Sequence, residues 1–170
     1  MRRFLWLALA GAALAGCSTA KDDAKDCPRL AILDDVGRLT KFREGPGRDL
    51  TDVAYTARLT NADGFCTTDK SGVKVEMKVS VVVERGPAAS GSPVDLQYFV
   101  AITNADRQIV AKEVFPTRIP FEANQRVAGS VEEIEERIPL PRGADPSDYS
   151  IVAGFQLTPE EIEYNRRGGR

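Results

Sequence analysis

The sequence contains no histidine, and its single tryptophan, Trp6, lies among the first ten residues. The absence of histidine excludes Ser-His-Asp and Cys-His catalysis, together with every zinc site that requires an imidazole ligand. Aromatic residues make up only 7% of the chain, so little is available to stack on a sugar ring. The composition therefore argues against several common designs of hydrolase and metalloenzyme.

The chain also lacks a hydrophobic run long enough to cross a bilayer. Its longest apolar segment, residues 4–15, has 12 residues, whereas a transmembrane helix needs about 20. This segment follows Arg2 and Arg3 and ends in small residues, which is the pattern of a secretory signal peptide. We therefore predict a signal peptide over residues 1–16.

The sequence LAGC at residues 14–17 closely resembles the lipobox of bacterial lipoproteins. The resemblance implies cleavage after Gly16 and a mature chain that begins at Cys17, with an S-diacylglycerol and an N-linked acyl chain on that residue. Each buried methylene contributes about 0.8 kcal/mol and a single acyl chain binds only reversibly, so several chains on one residue anchor a domain durably. Ser18, where an Asp would mark inner-membrane retention, resembles the outer-membrane default. We expect an outer-membrane anchor, with the protein facing the periplasm rather than the cell surface.

Residues 17–26 comprise this cysteine and a polar segment without Val, Ile, Leu or aromatic residues, which predicts a disordered tether. Without Arg2 and Arg3, the 23 basic residues become 21 against 25 acidic ones, a formal charge of −4. Nothing in this balance forms a basic face, so we expect no nucleic-acid partner. A single domain is predicted over residues 27–166, with a flexible tail at 167–170.

Two cysteines remain once Cys17 is assigned to the lipid. Cys27 and Cys66 form an even pair in an exported protein, and the periplasm is oxidising, so we predict a structural disulfide between them. Closing a loop of roughly 40 residues stabilises a fold by about 4 kcal/mol in the chain-entropy model. The alternatives are two reduced thiols or a redox pair, although no C-x-x-C spacing supports the latter.

Hydrophobic alternation with a period of two dominates the rest of the chain. The clearest example is VKVEMKVSV at residues 73–81, and similar runs begin at Val53, Val94 and Tyr149. Such alternation is typical of half-buried strands in antiparallel sheets. We expect a first strand at residues 30–33, with a contribution from residues 38–42.

Turn-forming residues separate these runs. We predict a turn at residues 61–64 (NADG), a loop at 86–93 and a tight hairpin at 104–106 (NAD). The hairpin leads into a strand over residues 108–115 that Pro116 ends. Residues 126–138 fit either a helix face or an exposed strand, and the surrounding β pattern favours a strand.

One helix is specified near the C-terminus. Thr158 and Glu161 form a capping box around Pro159, and Leu157 and Ile162 occupy the two positions of a hydrophobic staple. These signals predict a short helix from Pro159 to about residue 166. The whole pattern indicates an all-β fold: an antiparallel, immunoglobulin-like β-sandwich of seven or eight strands with a short C-terminal helix.

We find no catalytic residues, metal ligands or cofactor-binding motif in the sequence. S-x-x-K occurs at residues 18–21 and 71–74, but its S-D-N and K-T-G partners are missing, so both matches are accidental. The acidic residues of the segment VEEIEER do not follow the spacing of a calcium loop, and we interpret them as a solvated face that blocks edge-to-edge pairing; they are Glu132, Glu133, Glu135 and Glu136.

Several short phrases together resemble uncharacterised lipoproteins of alphaproteobacteria. The phrases are CP at residues 27–28, RGP at 85–87, YFVA at 98–101, GFQLT at 154–158 and YNR at 164–166. The resemblance implies an address in the cell envelope and no particular mechanism.

Three functions remain open at this stage. The leading hypothesis is a non-enzymatic binding or structural module of the envelope, held by membrane lipid through Cys17 and bound to another envelope protein. The first alternative is a small periplasmic hydrolase or ligand-binding protein that uses carboxylates, which predicts a concave pocket with at least two acids of shifted pKa. The second alternative is a surface-exposed adhesin.

Overall fold

Eight strands and one C-terminal helix account for the regular structure of residues 27–168, the part of the chain that a computed structural model describes. Cys17 and the predicted signal peptide and tether lie outside these residues. The elements are β1 (Arg29–Ile32), β2 (Arg38–Phe42), β3 (Val53–Asp69), β4 (Gly72–Arg85), β5 (Val94–Thr103), β6 (Ile109–Ile119), β7 (Val127–Ile138), β8 (Ser150–Phe155) and α1 (Pro159–Arg166).

The strands form two four-stranded sheets that pack face to face. One sheet has the order β1-β8-β5-β6 and the other the order β2-β3-β4-β7. All neighbours are antiparallel except β1 and β8, which run parallel. The predicted all-β sandwich with a late helix is confirmed. Constant-type immunoglobulin domains have the strand orders ABED and CFG, so the likeness lies in the two layers rather than in the connectivity.

The core forms where the inward faces of the two sheets meet. The alternation that marked residues 73–81 as a strand places every second side chain of β4 in this core, each at most 2% exposed. Each fully buried side chain of this size contributes about 1.5–3 kcal/mol. The largest contributors facing β4 from the other sheet are Tyr98, Val100, Ile119, Ile151 and Phe155.

The turn predicted at residues 61–64 is wrong. The backbone continues as β3 to Asp69, with a register shift between Leu59 and Asn61, and the chain reverses only between Asp69 and Gly72. Gly64 serves a different purpose from turning, because a Cβ atom there would collide with the carbonyl oxygen of Glu76. The long ladder between β3 and β4 outweighs the local turn preference of Asn, Asp and Gly.

The prediction that Pro116 ends its strand is also wrong. β6 continues to Ile119, and Pro116 lies opposite Gln97 of β5. A residue without an N–H group is tolerated there because β6 is an edge strand, and only one of its sides takes part in a ladder. The preceding hairpin is confirmed: Asn104 and Gln108 exchange hydrogen bonds across the turn.

Residues 30–33 and 38–42, expected to contribute to one strand, belong to different sheets. The chain crosses from β1 to β2 between them, and this crossing hydrogen-bonds to both sheets. The carbonyl of Val36 accepts from the N–H of Phe155 at 2.7 Å, and that of Gly37 accepts from the N–H of Leu59 at 2.9 Å. The first segment thus ties the two layers together at one side of the sandwich.

Both remaining secondary-structure predictions are confirmed. Residues 127–138 form strand β7, and α1 spans the predicted residues. The capping box is complete, since Thr158 Oγ1 accepts from the N–H of Glu161 at 3.3 Å and Glu161 Oε2 accepts from the N–H of Thr158 at 2.9 Å. Ile162 packs against the core, as the hydrophobic staple requires.

Candidate functional site

The two lateral sides of the sandwich differ in how well they are covered. At the side formed by β1 and β2, helix α1 packs on β2 through an edge-to-face contact of Phe42 and Tyr164, with ring centroids 5.3 Å apart. The amide of Asn165 donates to the carbonyls of Asp35 and Arg38 at 2.8 and 2.7 Å. This side is closed by the chain itself.

The predicted disulfide between Cys27 and Cys66 is present. Cys27 precedes β1 of one sheet and Cys66 lies on β3 of the other, so the bond links the two layers near the point where the chain enters the fold. It belongs to the closed side, and its role is structural.

The opposite lateral side, formed by β6 and β7 and called the open side below, is not covered by any other described element. Each of these edge strands pairs with one neighbour only, β6 with β5 and β7 with β4. Five of the eight exposed large hydrophobic residues among residues 27–168 lie on these two strands, with 42–64% of their surface exposed: Ile109, Val110, Val114, Val127 and Val131.

The acidic residues of β7 divide between its two faces. Glu133 and Glu135 point outward, where Lys78 and Lys74 of β4 bind them at 2.8 and 2.9 Å. Glu132 and Glu136 pair in register with Val79 and Val75, which are buried, and residues directly opposite in a ladder share a face. The predicted solvated face is therefore correct for two of the four residues and wrong for the other two.

The inward carboxylates form a slot at the open side. Glu113 of β6 lies opposite the buried Val100 and therefore also points inward. We call Glu113, Glu132 and Glu136 the carboxylate slot. Burial, followed by the charge of Glu113, raises the pKa of Glu136. Within residues 27–168, no Lys or Arg forms an ion pair with any of the three.

Neutral donors hold Glu132 in place. Its Oε1 atom accepts hydrogen bonds from Thr117 Oγ1 at 2.7 Å and from Ser130 Oγ at 2.5 Å, which connects β7 to β6. Tyr98 of β5 is a neighbour of Glu132 in the core. Burial, followed by the charge of Glu132, raises the pKa of the Tyr98 phenol to about 12. Hydrogen bonds therefore fix the Glu132 carboxylate, and none of the three carboxylates has an ion-pair partner among the described residues.

The slot does not have the spacing of a glycosidase pair. Glu132 and Glu136 are four residues apart on a regular strand, so their backbone positions are roughly 13–14 Å apart. Carboxyl pairs in glycoside hydrolases lie roughly 5–10 Å apart. No group of three or more acidic or cysteine side chains among the described residues has the arrangement of a metal site.

A second concavity, of about 310 Å³, lies between β2 and α1. Four of its charged residues form two ion pairs: Lys41 with Glu161 at 3.1 Å and Arg48 with Glu160 at 3.5 Å. The Arg48 guanidinium also lies 5.5 Å from the centre of the Phe42 ring. This groove is an ion-pair network that holds the helix on the closed side, and Glu136, whose pKa is raised, is not among its lining residues.

The other residues singled out in the sequence have structural roles. Ser71 donates to Asp69 and accepts from Arg137, while Lys74 binds two glutamates, so this S-x-x-K match forms no Ser–Lys pair. Tyr98 belongs to the core and stacks on Phe115. The sequence of β7 does not show which glutamates point inward, because apolar residues occur on both of its faces, and the register with β4 decides between them.

No helix among residues 27–168 combines the length and apolar character needed to cross a membrane. Comparison of the chain with protein-family models, with curated proteins and with solved structures finds no match, so the function is argued from the residues themselves.

Proposed function

We propose that this protein is a lipid-anchored module of the bacterial cell envelope that binds another envelope protein through its open side, without catalysing a reaction. The observation that carries the proposal is the concentration of exposed aliphatic side chains on two edge strands of the same side. The closed side, in contrast, is covered by α1, the crossing segment and the disulfide.

An open side of this kind favours protein binding for two physical reasons. Exposed aliphatic side chains gain free energy when a partner removes them from water. Unpaired strand edges present N–H and C=O groups that an extended segment of a partner can satisfy. β6 and β7 offer both features side by side.

The lipobox and the tether support the anchored location. Nine residues separate Cys17 from Cys27, and when fully stretched they span about 30 Å at roughly 3.3 Å per residue. A domain on such a tether stands clear of the lipid headgroups and still meets envelope proteins at high local concentration. The disulfide suits an oxidising compartment.

The anchor and its location are tested in cells. Cys17→Ala should abolish labelling with palmitate and release the protein into soluble fractions, and continued membrane association of this variant would contradict the anchor. Protease added to whole cells should leave the native protein intact if it faces the periplasm. Cleavage in that assay would instead indicate surface display.

The binding surface is tested by site-specific photo-crosslinking in intact cells. A crosslinking side chain at Val131, on the open side, should yield a defined adduct with another protein. The matched control is Leu50, which is 78% exposed but lies in the loop between β2 and β3. No adduct at Val131 above the level at Leu50 would refute the proposed use of the open side.

A further inference from the structure

The free edge of β7 is the more regular of the two edges on the open side. β7 pairs with β4 over its full 12 residues without a register shift and contains no proline. β6, by comparison, contains Pro116 and follows a register shift between Ile102 and Thr103 of β5. Proline and bulges are two of the devices by which edge strands avoid pairing, and β7 has neither.

β7 instead carries two inward carboxylates, Glu132 and Glu136, and inward charges are another feature by which edge strands avoid pairing. Their outward neighbours Glu133 and Glu135 are each compensated by a lysine of β4, whereas Glu132 and Glu136 have no cation among the described residues. An added strand would place its own inward side chains directly beside these two. The charge of those side chains therefore decides which strands the edge accepts.

We propose that β7 binds an extended basic segment of the partner protein as an added strand, with two Lys or Arg side chains four residues apart directed at Glu132 and Glu136. Between them, the added strand places an apolar side chain beside Ile134, which is buried. Its outward residues lie beside Val127 and Val131. This inference rests on the proposed function, since it assumes that the open side is the binding face.

The same carboxylates exclude other occupants. An apolar strand would cover Glu132 and Glu136 without providing a cation, and covering an unpaired charge is costly. A second copy of β7 would set glutamate beside glutamate, and like charges directly opposite in a ladder are unfavourable. The edge therefore selects basic segments through repulsion of the alternatives as well as through attraction.

The electrostatics of the slot agree with this selection. Burial and the charge of Glu113 raise the pKa of Glu136, so its ionised form is disfavoured while the slot is empty of cations. A lysine or arginine placed beside Glu136 favours the ionised form of that carboxyl group.

The test uses the full lipidated protein in detergent micelles and a synthetic peptide, TKTVTKT, blocked at both ends and carrying a fluorophore. The matched control peptide is TETVTET. Fluorescence anisotropy should show binding of the basic peptide that weakens with salt and exceeds that of the acidic peptide by about 10-fold. Amide hydrogen exchange along β7 should slow when the basic peptide is present. Equal binding of the two peptides, or no binding of either, would overturn the proposal.

Two double variants on the same strand locate the effect. Glu132→Gln with Glu136→Gln should weaken binding of the basic peptide by about 10-fold, whereas Glu133→Gln with Glu135→Gln should change it by less than about 3-fold. Glutamine keeps the acceptor that Thr117 and Ser130 use, and Glu136→Gln alone serves if the inward double variant does not fold. Equal losses in the inward and outward variants would contradict the proposal.

The outcomes separate this inference from the proposed function. If Val131 gives no crosslinked adduct in cells, the open side is not the binding face. If Val131 gives an adduct whose yield is unchanged by the inward double variant, the open side binds a partner that is not a basic strand. If the inward double variant self-associates while the native protein never binds the basic peptide, the carboxylates only block pairing, and the proposal fails.

Discussion

Removing the disulfide between Cys27 and Cys66 should cost this fold about 4 kcal/mol. The two cysteines are 39 residues apart in sequence, and a loop of that size corresponds to this loss of unfolded-state entropy in the chain-entropy model. The location makes the bond important, because β1 has only four residues and enters the fold immediately after Cys27. Without the bond, β1 is held by its pairing with β8 and by the packing of Leu30 and Ile32 against the core.

The assay is reversible unfolding of the native protein and of a Cys27→Ala, Cys66→Ala double variant, each with and without dithiothreitol. For a domain of this size, 1 kcal/mol shifts the melting temperature by roughly 2–4 °C, so we expect the double variant to melt roughly 8–16 °C lower. Reductant should lower the melting temperature of the native protein to that of the double variant and leave the melting temperature of the variant unchanged. Because each protein is compared with and without dithiothreitol, an effect of the substitutions can be told apart from an effect of losing the bond.

Two results would refute this reasoning. If the double variant lost less than about 1 kcal/mol of unfolding free energy, the unfolded chain would already be restricted without the bond, or β1 would lie outside the part of the domain that unfolds cooperatively. Free thiols at both Cys27 and Cys66 in a non-reducing mass spectrum of the native protein would remove the premise altogether.

Three further predictions follow from the packing, the helix cap and the slot. Phe155→Ala empties a fully buried position and should lower the free energy of unfolding by about 3–5 kcal/mol, measured by urea unfolding. As a control, Phe65→Ala, at a position that is 60% exposed, should change this free energy by no more than about 0.5 kcal/mol. Similar costs for the two variants would argue against the described core. Thr158→Ala removes the capping box and should lower the free energy of unfolding by about 1 kcal/mol, whereas Thr158→Ser should keep the native stability. An equal loss in the serine variant would show that the cap is not the cause. Because burial raises the folded-state pKa of Glu136 above its ordinary value of 4.5, ionisation opposes folding at neutral pH, so Glu136→Gln should raise the melting temperature at pH 7, with the gain vanishing as the pH falls below 4.5. A gain that is independent of pH would contradict the assigned cause.

The presence of strands, and the face on which each side chain of a strand lies, could be predicted from the sequence because both depend on local patterns. A period of two assigns each side chain of residues 73–81 to one of two faces, and the buried face is the apolar one in the structure. The capping box around Pro159 is similarly contained within four residues, and the helix begins where that box places it. The parity of Cys27 and Cys66 required only the count of cysteines and the compartment.

Strand ends and strand neighbours could not be predicted, because they depend on residues far away in the chain. Asn61 and Gly64 favour a turn locally, yet the ladder with β4 carries the chain eight residues beyond Asn61, to Asp69. Pro116 stops a strand in the middle of a sheet but not at an edge, and only the strand order places β6 at an edge. Only four residues separate residues 30–33 from residues 38–42, and the tertiary structure alone assigns the two segments to different sheets.

The sequence alone determined that this chain forms amphipathic strands and a capped terminal helix, because periodicity and capping are properties of short segments. The disulfide could be predicted from the count of cysteines once Cys17 was assigned to the lipid. Tertiary structure decided which two glutamates of β7 face inward without a cation and which two are neutralised by lysines, because that outcome depends on the register between β7 and β4. It also decided that β6 and β7, which carry five exposed apolar side chains, are the edge strands of the same side, since strand order is set by the packing of the whole sandwich.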